Sequence, residues 1–182
     1  MSFFLNIDSH VENFFLSIRG QGGVDFFSAV TWLGEWKILI FVVVLIAVIF
    51  WLKNKKEYIL PFLITVGGAG ISGQIFKIIF ERVRPIGDLK TGDPFSFPSG
   101  HALIAVAFYG FLVYYFWQTS KDQVQKYFFL IMGLILILLI GASRLYLDMH
   151  YFSDVIGGYI LGAIWLAIGI YFHRKNSKTS AV

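Results

Sequence analysis

The chain has 182 residues, 57% of them hydrophobic and only 14% charged, with a mean hydropathy of +0.72. Soluble domains use about 45–50% apolar residues, so the composition excludes a soluble globular fold and implies one integral membrane domain over residues 1–182. The absence of cysteine excludes disulfides, thiolate metal sites and a cysteine nucleophile, and the formal net charge of +4 follows membrane topology and calls for no nucleic-acid partner.

Residues 1–20 place Phe3, Phe4, Ile7, Val11, Phe14, Phe15 and Ile18 at helical spacing. Asp8, His10 and Glu12 interrupt the run, which predicts an amphipathic helix lying at the membrane interface with His10 on its polar face, a buried accessory helix being the alternative. Gly20-Gln21-Gly22-Gly23 reads as a break. Five spans are expected after it, at residues 31–52, 58–80, 101–117, 127–142 and 154–172, each close to the roughly 20 residues that cross a bilayer. The fold class is therefore all-α, a polytopic helix bundle of about five spans plus the N-terminal interfacial helix. The small-residue run from Gly67 to Gly73 and the Gly158/Gly162 pair predict close helix packing.

Loops 53–57 and 119–126 and the tail from His173 carry most of the basic residues not needed for a site. The positive-inside rule places them in the cytoplasm and turns loops 81–100 and 143–153 outward. Arg82, Lys90 and His173 read here as interfacial flanking residues, and Asp88, Asp93 and Asp148 as solvated loop carboxylates.

Those two outer loops carry the chemistry. In Phe95-Ser96-Phe97-Pro98-Ser99-Gly100-His101, Pro98 ends what precedes it and Gly100 lets the backbone approach a bound group. Ser99 is expected to cap the helix starting at His101, aiming backbone N–H groups at an anion. His150 and Asp154 stand at i, i+4, so Asp154 can accept from one imidazole nitrogen and leave the other as a nucleophilic lone pair. His101 can protonate a leaving oxygen. Lys77, Arg84 and Arg144 supply positive charge for a phosphate. Alone, Asp154 could be no more than a helix N-terminal acid. Together these groups predict phosphoryl transfer without a metal, since no histidine and carboxylate cluster is left over for one.

Lys77-x6-Arg84-Pro85, Pro98-Ser99-Gly100-His101 and Ser143-Arg144-x5-His150-x3-Asp154 resemble the three motifs of the type 2 phosphatidic acid phosphatase superfamily. The resemblance implies that His150 is the nucleophile of a phosphohistidine intermediate, oriented by Asp154, and that His101 protonates the leaving group. It implies that Lys77, Arg84, Ser99, Gly100 and Arg144 bind the phosphoryl group, with no cofactor. Many bacterial membrane members resemble six-span proteins, whereas the first segment here is short and acidic.

The expected function is a metal-independent lipid phosphatase of the cytoplasmic membrane, with its site on the extracytoplasmic face and its partners a lipid phosphate and the bilayer. Undecaprenyl diphosphate, phosphatidylglycerol phosphate and phosphatidic acid are the candidate substrates, with a slight lean to the first. A phosphotransferase with the same site and an anion or headgroup transporter are the alternatives.

Overall fold

The computed structural model describes residues 2–85 and 94–179; Asp88, Lys90 and Asp93 lie outside them. Seven α-helices account for most of the described chain: α1 (Ser2–Ser17), α2 (Gln21–Thr31), α3 (Trp36–Leu52), α4 (Ile59–Phe80), α5 (Gly100–Thr119), α6 (Gln123–Tyr146) and α7 (Phe152–Thr179). Among the described residues, four stretches are long and apolar enough to cross a membrane by themselves: Lys56–Phe80, Gly100–Thr119, Gln123–Tyr146 and Phe152–Asn176. The fifth expected span is a bent pair, α2 and α3, meeting at 47° around the short 3-10 turn Trp32–Gly34.

The bundle is built around α5, which packs against α4, α6 and α7. Its core has two parts. Toward the loops expected in the cytoplasm, Phe50, Phe62, Phe108 and Phe111 interlock as buried aromatics. Toward the other end, Ala69, Leu103 and Ala107 form a thin seam between α4 and α5. Small residues let the helices close there: a Cβ on Gly68 would sit 2.2 Å from the Trp165 ring, and one on Gly162 would sit 2.5 Å from the Leu103 carbonyl oxygen. Large apolar residues such as Phe41, Ile71, Leu138 and Ile160 point outward. That inversion of a soluble surface is what a hydrocarbon surrounding requires.

Two expectations need correcting. The glycine run at 20–23 breaks the chain only at Gly20, because α2 resumes at Gln21. Gly23 instead lets α2 seat against Tyr146, whose hydroxyl would lie 2.0 Å from a Cβ there. His173 is no flanking residue. It is buried, stacked on Tyr58 at 4.1 Å between ring centroids, and its Nδ1 lies 2.8 Å from the Tyr114 hydroxyl. Helix α1, the expected N-terminal helix, packs on α6 and α7 and buries Asp8. His10 does stay exposed, 2.6 Å from the Asn6 carbonyl oxygen.

Candidate active site

The ends of four helices set the site. Lys77 lies in the last turn of α4 and is buried. Glu81 ends that helix in a left-handed conformation (φ 44°), which turns the chain so that Arg84 comes back over the bundle. A single antiparallel bridge between Val83 and Phe95, with the Ser96 N–H donating to the Arg82 carbonyl at 2.7 Å, returns the chain to α5. Arg144 lies in the last turn of α6. His150 stands in the turn before α7, and Asp154 in the first turn of α7.

The start of α5 departs from the expected cap. Ser99 has the extended conformation of a cap residue, and its carbonyl accepts from the Leu103 N–H at 3.0 Å, but its side chain makes no capping bond. Its Oγ is buried without a hydrogen-bond partner. A Cβ on Gly100 would meet nothing within 4 Å, so there is room above that backbone. The Ser99 N–H donates to the Asp154 carbonyl oxygen at 3.0 Å, fastening the start of α5 to that of α7.

At His150 the two ring nitrogens face different partners. Arg84 Nη1 lies 3.2 Å from Nε2 and donates to the Met149 carbonyl at 2.8 Å. A guanidinium can only donate, so Nε2 is the acceptor and its lone pair points at Arg84. The proton then sits on Nδ1, which faces Asp154 Oδ2 at 3.6 Å, beyond hydrogen-bond length. Burial, followed by Arg144, Arg84 and Lys77, holds His150 well below the usual histidine range, with the Ser96 backbone opposing the shift. The imidazole is therefore neutral at ordinary pH. The same three cations act on His101, whose Nε2 lies 3.7 Å from Glu35 Oε2.

Asp154 is the helix N-terminal acid that its position offered, and it faces His150 without a hydrogen bond. One oxygen accepts from the Tyr151 N–H at 3.0 Å, the reach-back half of a capping box at the start of α7. The same oxygen faces His150. Its other oxygen accepts from Arg82 at 2.6 Å, so Arg82 is no interfacial anchor. Arg82 also donates to Ser153 Oγ at 2.6 Å and to Asp8 Oδ2 at 2.7 Å. Asp148, expected to be solvated, is buried with a left-handed backbone (φ 58°). Asp8 was legible in principle, because an acid at i−3 from Val11 and i−7 from Phe15 sits on the apolar stripe of α1. Glu35 and Thr31, the latter accepting from Arg144, carried no pattern that spacing alone would reveal.

Several known proteins are similar to this chain. Phosphatidylglycerophosphatase B of Bacillus subtilis (strain 168) is 31% identical over 83% of this chain and 75% of that protein. The undecaprenyl-diphosphatase of Sulfolobus acidocaldarius is 28% identical over 63% of this chain and 54% of its own length. The crystal structure of the first transmembrane PAP2 type phosphatidylglycerolphosphate phosphatase, from Bacillus subtilis, superposes with a TM-score of 0.85 at 28% identity, covering 94% of this chain and 86% of that one. The defining pattern of one family runs through residues 36–178, taking in all three motifs: this chain is a member of the PAP2 superfamily, within its membrane lipid phosphatases.

Proposed function

We propose that the protein hydrolyses the phosphate monoester or diphosphate of a membrane lipid through a phosphohistidine on His150. The observation that carries this is the geometry at His150, whose Nε2 faces the Arg84 guanidinium at 3.2 Å with its lone pair directed at it. A phosphoryl group drawn by Lys77, Arg84 and Arg144 arrives where that lone pair points.

Nε2 attacks phosphorus, the bond from phosphorus to the lipid oxygen breaks, and the departing oxygen takes a proton from His101. Water then attacks the phosphohistidine while His101 takes its proton, and the phosphorus–nitrogen bond breaks, releasing phosphate and restoring both Nε2 and the His101 proton. Positive charge on His150 during the intermediate is countered by Asp154. The equatorial oxygens meet the three cations, Ser99 Oγ and the N–H groups at the start of α5. Three cations around the reacting nitrogen repel a divalent ion, which supports turnover without a metal.

The basic loops 53–57 and 119–126 support an extracytoplasmic site in the cytoplasmic membrane. An apolar groove of about 690 Å³, lined by Ile7, Phe80, Phe97, Phe152, Ile156 and Ile160, opens beside Arg82 and Ser153 and suits a lipid tail. Phosphatidylglycerol phosphate ranks first among the substrates in this reading, ahead of undecaprenyl diphosphate and phosphatidic acid, and the names of the relatives support that order. The test is phosphate release in EDTA from these three lipids by detergent-purified protein, with His150→Ala alongside. Release by wild type alone supports the reading. No release from any lipid, or release that EDTA abolishes, overturns it.

A further inference from the structure

Behind His150 runs a chain of charge whose outer members, Asp8 and Arg82, are not among the residues that the three motifs specify. Asp8, on α1, is only 3% exposed, and accepts from the Ser153 N–H at 2.8 Å and from Ser153 Oγ at 2.7 Å. Arg82 lies between two carboxylates, 2.7 Å from Asp8 Oδ2 and 2.6 Å from Asp154 Oδ1, with its guanidinium carbon 4.3 Å from the centre of the Tyr151 ring. Beyond Asp154 comes His150. The order is Asp8, Arg82, Asp154, His150, passing through three separate segments of the chain.

One guanidinium shared between two buried acids cannot fully neutralise either. We propose that Asp8 and Arg82 are positioning residues that set how strongly Asp154 acts on the nucleophilic histidine, so that α1 takes part in the reaction without touching the substrate. Arg82 holds the carboxylate in orientation and draws off part of its charge. Asp8 limits how much Arg82 can draw. The inference rests on the reading of His150 as nucleophile. Other groups facing His150 are Lys77 from α4, Arg84 from the segment after it, His101 from α5 and Arg144 from α6. Glu12 and Asp148 line a small cavity beside it. Among these, Asp154 is the one that Arg82 holds by a charged hydrogen bond.

The two residues should therefore act in opposite senses. Arg82→Gln leaves Asp154 with its full charge toward His150, which favours the imidazolium and moves the acid limb of kcat/KM up by about one pH unit. Asp8→Asn gives Arg82 wholly to Asp154 and moves the limb down. Both lower kcat by about 10–100-fold, as loss of a partner behind a reacting group does, with KM changed by less than about threefold. Arg82→Lys restores the limb but only part of kcat, because an ammonium lacks the planar fork. In an Asp154→Asn background, Arg82→Gln costs less than about twofold more, since its route to His150 is gone.

The same shifts are read without turnover from the ¹⁵N imidazole titration of His150 in labelled protein, assigned with His150→Gln. A wild type that releases no phosphate would sink the functional reading, while the titration still decides the coupling. Limbs or titrations that stay put, or move the same way in both variants, overturn the proposal. So does a full multiplicative loss in the Asp154→Asn background. If Arg82→Gln does not fold, Asp8→Asn and Arg82→Lys decide by the same criteria.

Discussion

Gly158 on α7 faces α5 where the site begins. A Cβ there would lie 2.6 Å from the Ser99 carbonyl oxygen, 3.0 Å from Ala102 Cβ and 3.1 Å from the Leu103 nitrogen. Two of these are backbone atoms, which cannot swing aside as a flexible side chain would. Reaching an ordinary C···O contact of ~3.3 Å opens the two helices by ~0.7 Å at that point. One turn away, the Ser99 N–H is bonded to the Asp154 carbonyl, so the displacement falls between the backbone proposed to bind phosphate and the carboxylate that faces His150. A misplacement near 1 Å costs about 10²-fold in rate, and overpacking costs about 1–3 kcal/mol. Gly158→Ala should lower kcat by about 10–100-fold with a smaller change in KM, measured as phosphate release by protein whose thermal unfolding is followed in parallel. Gly67→Ala and Gly70→Ala are the controls, because a Cβ at either meets nothing within 4 Å. Wild-type kcat in Gly158→Ala, or an equal loss in the controls, would refute the reasoning.

Ser99→Ala removes a buried hydroxyl that has no protein partner, so it should keep or raise thermal stability while weakening inhibition by inorganic vanadate about 10–100-fold, the worth of a hydrogen bond to a charged group; a fall in melting temperature would contradict this. His101→Ala should lose less rate on an aryl phosphate than on a lipid phosphate, because an acidic leaving group needs little protonation, and equal losses on both would remove His101 from that role. Because His150 is held below the usual histidine range, the acid limb of kcat/KM should lie below about pH 6.5. The folded state then binds fewer protons at this residue than the unfolded chain. Its contribution to stability is complete above the unfolded histidine pKa and is lost as pH falls, so wild type should destabilise more than His150→Ala on acidification, as thermal unfolding against pH would show.

Much of the fold was legible because lipid imposes a simple rule on long apolar segments. The helices at Lys56–Phe80, Gly100–Thr119, Gln123–Tyr146 and Phe152–Asn176 overlap the expected spans with ends extended by a few residues. Gly158 and Gly162 do face α5 at close range. Spacing could not show that the first span bends, because Trp32–Gly34 looks as apolar as its surroundings and the bend fits Gly34 against His101, where a Cβ would lie 2.9 Å from the ring. Arg82 was misread for a related reason. A basic residue at a helix end usually reaches for headgroups, and only tertiary packing brings Asp8, about seventy residues earlier in the chain, to meet it. Local pattern reports the solvent a residue faces. It does not report a partner supplied by another helix.

The turn joining α6 to α7 is fastened along its length: the Leu147 N–H bonds the Ser143 carbonyl, the Met149 N–H bonds the Arg144 carbonyl, and the Met149 carbonyl accepts from Arg84. Arg144 and His150 flank this turn, so the chain between them works as a ruler. Exchanging an apolar side chain such as Leu147 leaves the count of peptide units intact. Adding or deleting one unit would carry His150 off the axis shared by Arg84 and Asp154, whatever residue were used. Over this stretch the protein stores length more strictly than it stores identity.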